Sequence, residues 1–170
     1  MKLENQEEIA TLEVMNTGAP ITQAFGRQIP RSAMNFEFFA EFISQATSPV
    51  FDQNPNYMTY VRREPVGVAG LIAPWNAPMA LATMKVAGAI AFGNSCILKP
   101  SELTPLGFVP FMDLLSSAGL PEGVINMVNG RGEITGTAMT QNSDIDVIAF
   151  TGGTETGRVI GSEAGKTLKK

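Results

Sequence analysis

Residues 66–73 read VGVAGLIA, residues 74–94 read PWNAPMALATMKVAGAIAFGN and residues 95–99 read SCILK. The first and third segments are short and almost continuously apolar, which is typical of strands buried on both faces of a parallel sheet. The middle segment holds a helix-length apolar run from Pro78 to Ala91, and proline is favoured in the first turn of a helix. These residues therefore predict a strand, a crossover helix and a second, parallel strand.

The same alternation of strand and helix continues through the rest of the sequence. Further buried strands are predicted at Val124–Val128 and Asp146–Phe150, and further helices at Thr104–Ala118, Glu133–Thr140 and Thr154–Ala164. Consecutive strand-helix units of this kind pack as one sheet with right-handed crossovers. The predicted fold class is therefore α/β, with a doubly wound, mostly parallel sheet.

The first 65 residues lack this alternation and are predicted to form two helices and one strand. Apolar residues at helical spacing indicate a helix over Glu4–Asn16 and a second over Ala33–Gln45, with Ser32 as the N-cap of the second. Tyr57–Arg63 alternates as a strand does but is too polar for a central position in a sheet. We therefore interpret it as an edge or hairpin strand.

Composition and charge exclude several classes of function. The chain has 170 residues, of which 44% are hydrophobic and 16% charged, with a net charge of −4 and no basic run longer than two residues. A protein without a basic cluster is a poor partner for nucleic acid or an anionic membrane. The sequence has no histidine, which excludes Ser-His-Asp catalysis and ordinary zinc sites, so no metal site is predicted.

Cysteine content and hydropathy bear on the cellular location. Cys96 is the single cysteine, so no disulfide forms within the chain, and a reducing compartment is favoured. The acidic N-terminal residues lack the apolar region of a secretory signal. Pro74, Pro78 and Lys85 interrupt the apolar stretch 66–92, which disfavours a membrane span. A cytoplasmic protein is the expectation.

Polar or glycine residues follow each predicted parallel strand. They occupy Ala73–Pro78, Lys99–Glu102, Asn129–Gly132 and Thr151–Thr154. Ligands of open α/β sheets collect at the carboxyl ends of the strands, because helix N-termini there offer unpaired N–H groups. We therefore expect a ligand site at this edge of the sheet.

Most of these segments also have a purely structural interpretation. Gly130-Arg131-Gly132 with Gly136 misses the dinucleotide fingerprint by one residue and would equally serve a tight turn. The Gly152-Gly153 pair fits either phosphate binding or a close approach of the backbone to another group. Lys99 and Glu102 either present an ammonium and a carboxylate to a polyol such as ribose or form an exposed charge pair.

Asn76 and Cys96 carry the remaining chemistry. The Asn76 amide fits two roles, the cap of the helix that begins at Pro78 or a donor to a developing oxyanion. Cys96 lies inside a predicted buried strand, away from the carboxyl end, and is interpreted as a packed core thiol rather than a nucleophile.

Five motifs, taken in order, resemble the aldehyde dehydrogenase superfamily over nearly the whole chain. They are Glu64-Pro65-Val66-Gly67-Val68, Pro74-Trp75-Asn76-Ala77-Pro78, Gly93-Asn94 through Lys99-Pro100-Ser101-Glu102, Gly119-Leu120-Pro121 with Gly123-Val124-Ile125-Asn126, and Phe150-Thr151-Gly152-Gly153-Thr154. The segment from Ile29-Pro30-Arg31 to Phe38-Phe39-Ala40 and the double glycine are most similar to dehydrogenases of muconate-type semialdehydes.

The resemblance implies oxidation of an aldehyde to a carboxylic acid, with NAD accepting the hydride. It implies that Asn76 stabilises the oxyanion. It also implies that the Glu102 carboxylate disfavours a 2′-phosphate, so NAD is expected rather than NADP. Gly153 departs from the family's common serine, which leaves the backbone N–H to contact phosphate. The cofactor-binding residues that it implies are Ile72, Ala73, Pro74, Trp75, Lys99, Ser101, Glu102, Gly132, Phe150, Thr151, Gly152 and Gly153.

The resemblance also implies an internal fragment of a longer enzyme. Residues 1–55 are expected to form an N-terminal helical segment, residues 56–65 an edge or oligomerisation strand, and residues 66–170 an incomplete dinucleotide-binding domain. The family's nucleophilic cysteine and general-base glutamate belong to segments beyond this match, so the chain is expected to be inactive alone. The full-length family suggests a homo-oligomer. The alternative is a non-enzymatic interaction module that associates through its edge strand.

Overall fold

The structure, a computed structural model, describes residues 3–170 as helices, strands and their connections. The helices are α1 (Leu3–Thr17), α2 (Ile21–Gln23), α3 (Ile29–Ser44), α4 (Pro78–Ala91), α5 (Phe108–Ser117), α6 (Thr137–Gln141) and α7 (Thr154–Gly165), with π-helical turns at Ala24–Gln28 and Gly132–Gly136. The strands are β1 (Val50–Asn54), β2 (Tyr57–Tyr60), β3 (Val68–Ile72), β4 (Ser95–Lys99), β5 (Ile125–Met127) and β6 (Val147–Phe150).

The main sheet has four parallel strands in the order β5-β4-β3-β6. Ile72 at the end of β3 is in register with Lys99 of β4 on one side and with Phe150 of β6 on the other. The chain winds outward from β3 to β5 and then returns to place β6 on the opposite side of β3. The predicted α/β fold with a mostly parallel sheet is confirmed, and the order reverses between β3 and β6, where open sheets form a ligand crevice.

Alternate residues of the central strands pack into separate cores on the two faces of the sheet. Ala69 and Leu71 of β3 join Cys96 and Leu98 of β4 in the larger core, which helices α1, α3, α4 and α5 cover. Ile72 packs on the other face with residues of α6 and α7. Burial on both faces explains why the sequences of β3 and β4 are almost continuously apolar.

The second N-terminal helix begins earlier than the sequence predicts. Helix α3 starts at Ile29 and continues from α2 through the π-helical turn, so Ser32 lies inside the helix and is not its N-cap. The Ser32 hydroxyl donates to the Gln28 carbonyl, 3.1 Å away, as a serine within a helix does. Pro30 is the second residue of α3 and directly follows the π-helical turn, where the regular hydrogen bonds of an α-helix are already interrupted, so its missing N–H is tolerated.

Strand β2 forms an antiparallel hairpin with β1, which confirms the hairpin interpretation of this segment. The strand ends at Tyr60 rather than Arg63, and its partner β1 lies within residues that were expected to be helical. The turn is closed by the Asn54 side chain, whose Oδ1 accepts from the Asn56 N–H at 2.9 Å. Strand β1 is short and exposed along most of its length, so it carries little of the apolar pattern that marks a strand.

Helix α5 begins at Phe108, four residues later than predicted. Thr104 instead belongs to a turn in which its N–H donates to the Ser101 carbonyl at 3.1 Å. The predicted end of this helix is confirmed, because Gly119 adopts a φ of +86°, a conformation that glycine accepts without strain. Within residues 3–170, no helix combines the length and apolar character needed to cross a bilayer.

Candidate functional site

A cavity of about 430 Å³ lies at the carboxyl edge of the sheet, bounded by β3, β4 and the helices that follow β5 and β6. Five residues that the sequence singled out line it, namely Ile72, Lys99, Glu102, Gly132 and Gly136. The remaining wall comes from side chains that the sequence analysis did not select: Glu133, Thr137, Thr140, Glu155, Thr156, Val159 and Ile160. The lining of the cavity therefore combines apolar side chains with charged and hydroxyl groups.

Lys99 and Glu102 meet at this cavity, but their environments differ sharply. Lys99 is 2% exposed, and its Nζ donates to the Pro100 carbonyl at 3.1 Å and to Glu102 Oε2 at 3.4 Å. The Glu102 side chain is 42% exposed, and its Oε1 accepts from the Gly132 N–H at 3.4 Å. The interpretation as an exposed charge pair is wrong for Lys99, because its side chain is buried and its ammonium relies on these two acceptors instead of water.

Local hydrogen bonds keep Glu102 ionised. Its own backbone N–H is the main cause that lowers the pKa of the Glu102 carboxyl below its ordinary value. Burial, the second largest effect, raises this pKa, and the Gly132 N–H and the Lys99 ammonium each lower it by less. A carboxylate held in this way is an acceptor for hydroxyl groups and repels a second anion.

The second part of the edge is the turn between β6 and α7. Gly153 is the N-cap residue of α7, and no side chain of the described residues accepts a cap hydrogen bond there, so the first N–H groups of the helix remain available. A Cβ at Gly152 would lie 2.5 Å from Cζ of the Phe150 ring, whereas a Cβ at Gly153 would meet nothing within 4 Å. The close-approach interpretation therefore holds for Gly152, and the open N-terminus of α7 leaves room for an anion at Gly153.

Lys85 makes a contact at this edge of the sheet that the sequence did not predict. It lies on α4, and its Nζ donates to Thr151 Oγ1 at 2.7 Å, which ties that helix to the turn after β6. Burial lowers the pKa of Lys85 from its ordinary value. The signal in the sequence is a single lysine within an otherwise apolar helix, which requires a polar partner from another element.

The loop from Ala73 to Ala77 connects β3 to α4. The Ala73 N–H donates to the Lys99 carbonyl at 3.0 Å and extends the pairing of β3 with β4, whereas Trp75 is 57% exposed and Asn76 is exposed. The N-cap of α4 is Ala77. The proposal that Asn76 caps this helix is therefore wrong, and its amide is free to face a ligand.

Other predicted residues lie at the same edge but do not line the cavity. The Ser101 hydroxyl accepts from the Leu103 N–H at 3.3 Å and so belongs to the turn after β4. The Thr151 N–H donates to the Ile72 carbonyl at 3.3 Å and its hydroxyl is held by Lys85. Ala73 and Pro74 directly follow the end of β3, and Phe150 is the last residue of β6.

Cys96, the second residue of β4, is completely buried and in register with Ala69 and Ile125. Burial raises the pKa of the Cys96 thiol to about 12. The interpretation as a core thiol is confirmed, because a thiol in this environment is neither accessible nor ionised near neutral pH.

Comparison with known proteins identifies the family. The model of the aldehyde dehydrogenase family matches residues 1–170. The chain belongs to the aldehyde dehydrogenase family. Its predicted similarity to muconate-type enzymes is confirmed, since it is 43% identical over 167 residues to the 5-carboxymethyl-2-hydroxymuconate semialdehyde dehydrogenase of Escherichia coli.

Two further relatives bear on the cofactor. The chain is 42% identical over 164 residues to the NADP/NAD-dependent aldehyde dehydrogenase PuuC of Escherichia coli strain K12. It superposes on the NAD⁺ complex of an aldehyde dehydrogenase from Bacillus cereus with a TM-score of 0.96 and 36% identity. The matches to the semialdehyde dehydrogenase and to the Bacillus cereus enzyme each cover 98% of this chain, and the match to PuuC covers 96%. The chain spans only about a third of the length of these relatives: 35% of the semialdehyde dehydrogenase, 34% of the Bacillus cereus enzyme and 33% of PuuC.

Proposed function

We propose that this chain is the NAD-binding part of an aldehyde dehydrogenase that oxidises a semialdehyde to a carboxylic acid. The observation that carries the proposal is the buried Lys99 beside the ionised Glu102 at the mouth of the edge cavity. The similarity to a semialdehyde dehydrogenase supports the class of substrate, and the NAD⁺-bound Bacillus cereus relative supports the class of cofactor.

The residues at the edge fit a dinucleotide. The cavity offers the Ile72 and Val159 side chains to an apolar ring and the Glu102 carboxylate to ribose hydroxyls. The uncapped N-terminus of α7 at Gly153 offers N–H groups to a pyrophosphate. NAD, when bound, supplies the hydride acceptor for aldehyde oxidation. We assign NAD rather than NADP to this site because Glu102 would repel a 2′-phosphate.

Asn76 is proposed to act on the aldehyde. Its amide is exposed on the loop between β3 and α4 and makes no cap to that helix, so it is free to donate a hydrogen bond to the substrate oxygen. A donor of this kind is worth about 3 to 4 kcal/mol in enzymes that stabilise an oxyanion. Trp75, beside it, is exposed on the same loop.

The isolated chain is proposed to bind the cofactor without turning over an aldehyde. Covalent aldehyde oxidation needs an accessible thiolate, and the single cysteine of the sequence is Cys96, whose thiol is buried and un-ionised. The test combines calorimetric titration with NAD and a spectroscopic assay of NADH with a muconate-type semialdehyde. Binding without NADH formation is the expected result, and NADH formation by both the native protein and Cys96→Ser would overturn the second half of the proposal.

The exposed β1-β2 hairpin supports a second role in association. Val50, Tyr57, Met58 and Tyr60 are 59%, 66%, 73% and 62% exposed on this two-stranded sheet. Apolar side chains on an open strand edge favour pairing with another chain. We propose that the hairpin contributes to a homo-oligomer of the cytoplasmic enzyme. Sedimentation of the native chain and of Thr59→Pro is the test, and a native monomer at micromolar concentration would contradict it.

A further inference from the structure

Glu13 is a buried carboxylate on the N-terminal helix. It is 1% exposed although α1 lies at the surface, and its Oε1 accepts a hydrogen bond from the Met79 backbone N–H at 3.3 Å. Met79 is 66 residues away in the sequence and is the second residue of α4. A buried carboxylate is retained in a protein core only where specific groups compensate for the loss of water.

The hydrogen bond from Met79 to Glu13 replaces a cap that α4 lacks. The N-cap residue of α4 is Ala77, whose side chain cannot accept a hydrogen bond, and Pro78 has no N–H. The Met79 N–H is therefore one of the helix's unpaired donors, and the only side-chain acceptor found for it among residues 3–170 is Glu13. The carboxylate also lies at the positive end of the helix dipole.

The same carboxylate lies beside the loop after β4. A Cβ at Gly107, the N-cap residue of α5, would be 3.8 Å from Glu13 Oε2 and 3.4 Å from Cε of Met79. Glu13 thus contacts α4, whose preceding loop carries Asn76, and borders the loop that carries Glu102. One side chain of α1 therefore reaches the bases of two loops that form the carboxyl edge.

We propose that Glu13 is a positioning residue of the edge site, which fixes the first turn of α4 and with it the loop that carries Trp75 and Asn76. The inference rests on the proposed function for the role of that loop, but the mechanical link between Glu13 and Trp75 is independent of any cofactor. Glu13 itself touches neither the cavity nor a substrate and is not a catalytic residue.

The protonation state of Glu13 provides a way to measure the link. Burial raises the pKa of its carboxyl to about 7, and the Met79 N–H offsets part of this increase. Within the part of the chain that the structure describes, no charged side chain offsets the effect of burial on the Glu13 pKa. The titratable groups on the neighbouring elements are exposed or engaged elsewhere. They are Glu7 and Glu8 on α1, Arg27 in the π-helical turn, Arg31, Glu37 and Glu41 on α3, Lys85 on α4, Glu102 before α5 and Asp113 on α5. The sequence has no histidine to titrate in the same range.

The experiment follows the emission of Trp75, the single tryptophan, between pH 5.5 and 8.5 in the protein without cofactor. The native protein is expected to show a step with a midpoint near the Glu13 pKa of about 7. Glu13→Gln keeps an acceptor for Met79 but removes the charge, so the step should disappear while the fold is retained. Glu8→Gln removes an exposed carboxylate from the same helix and should leave the step unchanged.

A second variant tests the position of the loop directly. Glu13→Ala removes the acceptor, so quenching of Trp75 by acrylamide should increase, and a tenfold loss of NAD affinity is a rough expectation for a buried donor left unpaired. A step that persists in Glu13→Gln, or native quenching in a folded Glu13→Ala protein, would overturn the inference. If Glu13→Ala does not fold, the pH profile of Glu13→Gln decides.

The experiments distinguish a failure of the proposed NAD-binding function from a failure of the positioning role of Glu13. A native protein that shows the pH step but binds no NAD would contradict the proposed function and leave the link between Glu13 and Trp75 intact. A native protein that binds NAD but shows no pH step would contradict the positioning role alone.

Discussion

The Nζ of Lys99 lies 3.4 Å from Oε2 of Glu102, and this pair joins a completely enclosed ammonium to a half-exposed carboxylate. The parallel strand β4 ends at Lys99 and a turn brings Glu102 back over it, so the pair forms where the sheet opens to the cavity. The carboxylate is the part of the pair that a ligand can reach. Its charge should therefore decide which dinucleotide enters.

Glu102→Gln should reduce discrimination between the two nicotinamide cofactors. Loss of the carboxylate removes repulsion from a 2′-phosphate and weakens acceptance from ribose hydroxyls, so NAD should bind about tenfold more weakly while NADP binds more tightly. Calorimetric titration of both cofactors provides the measurement. The matched control is Glu122→Gln, an exposed glutamate away from the cavity, and equal NAD and NADP affinities in the native protein would contradict the assignment.

Gly152→Ala should distort the turn before α7, because the new Cβ would lie 2.5 Å from the Phe150 ring. Crowding of this kind costs about 1 to 3 kcal/mol. Gly161→Ala, inside α7, is the control, since its Cβ meets nothing within 4 Å and alanine is well accepted within a helix. Denaturant unfolding should show a lower free energy of unfolding for the first variant alone, and equal losses in both variants would exclude the steric explanation.

Gly153→Ser should strengthen the same turn. Gly153 is the N-cap residue of α7 and has an extended backbone with φ of −69° and ψ of 147°, which serine adopts readily. A serine hydroxyl can accept from the first N–H groups of the helix, and its advantage over glycine at an N-cap is about a few tenths of a kcal/mol. The midpoint temperature of thermal unfolding should therefore rise, whereas the affinity for NAD should fall, because the hydroxyl competes with the pyrophosphate for the N–H groups at the start of α7. An unchanged or higher affinity for NAD would contradict the use of these backbone N–H groups by the phosphate.

Stability should fall as the pH rises through the range in which Glu13 ionises. Its carboxyl pKa is raised from 4.5 to about 7 in the folded protein, so between these values the folded state holds more protons than the unfolded chain. The free energy of unfolding should then decrease between pH 4.5 and 7, by about 3 kcal/mol for a shift of this size, and stay lower above pH 7.

Glu13→Gln should flatten this dependence and should be more stable than the native protein at pH 8. Urea unfolding at pH 5, 6, 7 and 8 measures the slope, with Glu8→Gln as the control for removal of a charge. Parallel slopes in the native protein and Glu13→Gln would show that another group causes the dependence.

The sequence predicts the elements whose pattern is local. Buried strands such as β3 and β4 are continuous apolar runs, and the glycine and polar residues after them mark the edge where Lys99 and Glu102 lie. Strand β1 was missed because an exposed hairpin strand needs no apolar pattern and is fixed by pairing with β2.

Contacts made across the fold were beyond the reach of sequence patterns. In the sequence, Glu13 has the spacing of a polar residue on an amphipathic helix, but in the fold it is buried against α4. In the sequence, Lys85 is a single charged residue within an apolar helix. Its partner Thr151 comes close to it only because β6 pairs with β3. The wall that α7 contributes to the cavity depends in the same way on the order of the strands.

The central claim is that the carboxyl edge of this sheet binds NAD, and the emission of Trp75 during a titration with NAD tests it most directly. The account predicts a saturable change that Lys99→Ala weakens and that Lys166→Ala, the loss of an exposed lysine, leaves unaltered. A folded native protein with no change in emission and no heat of binding up to millimolar NAD would contradict the claim.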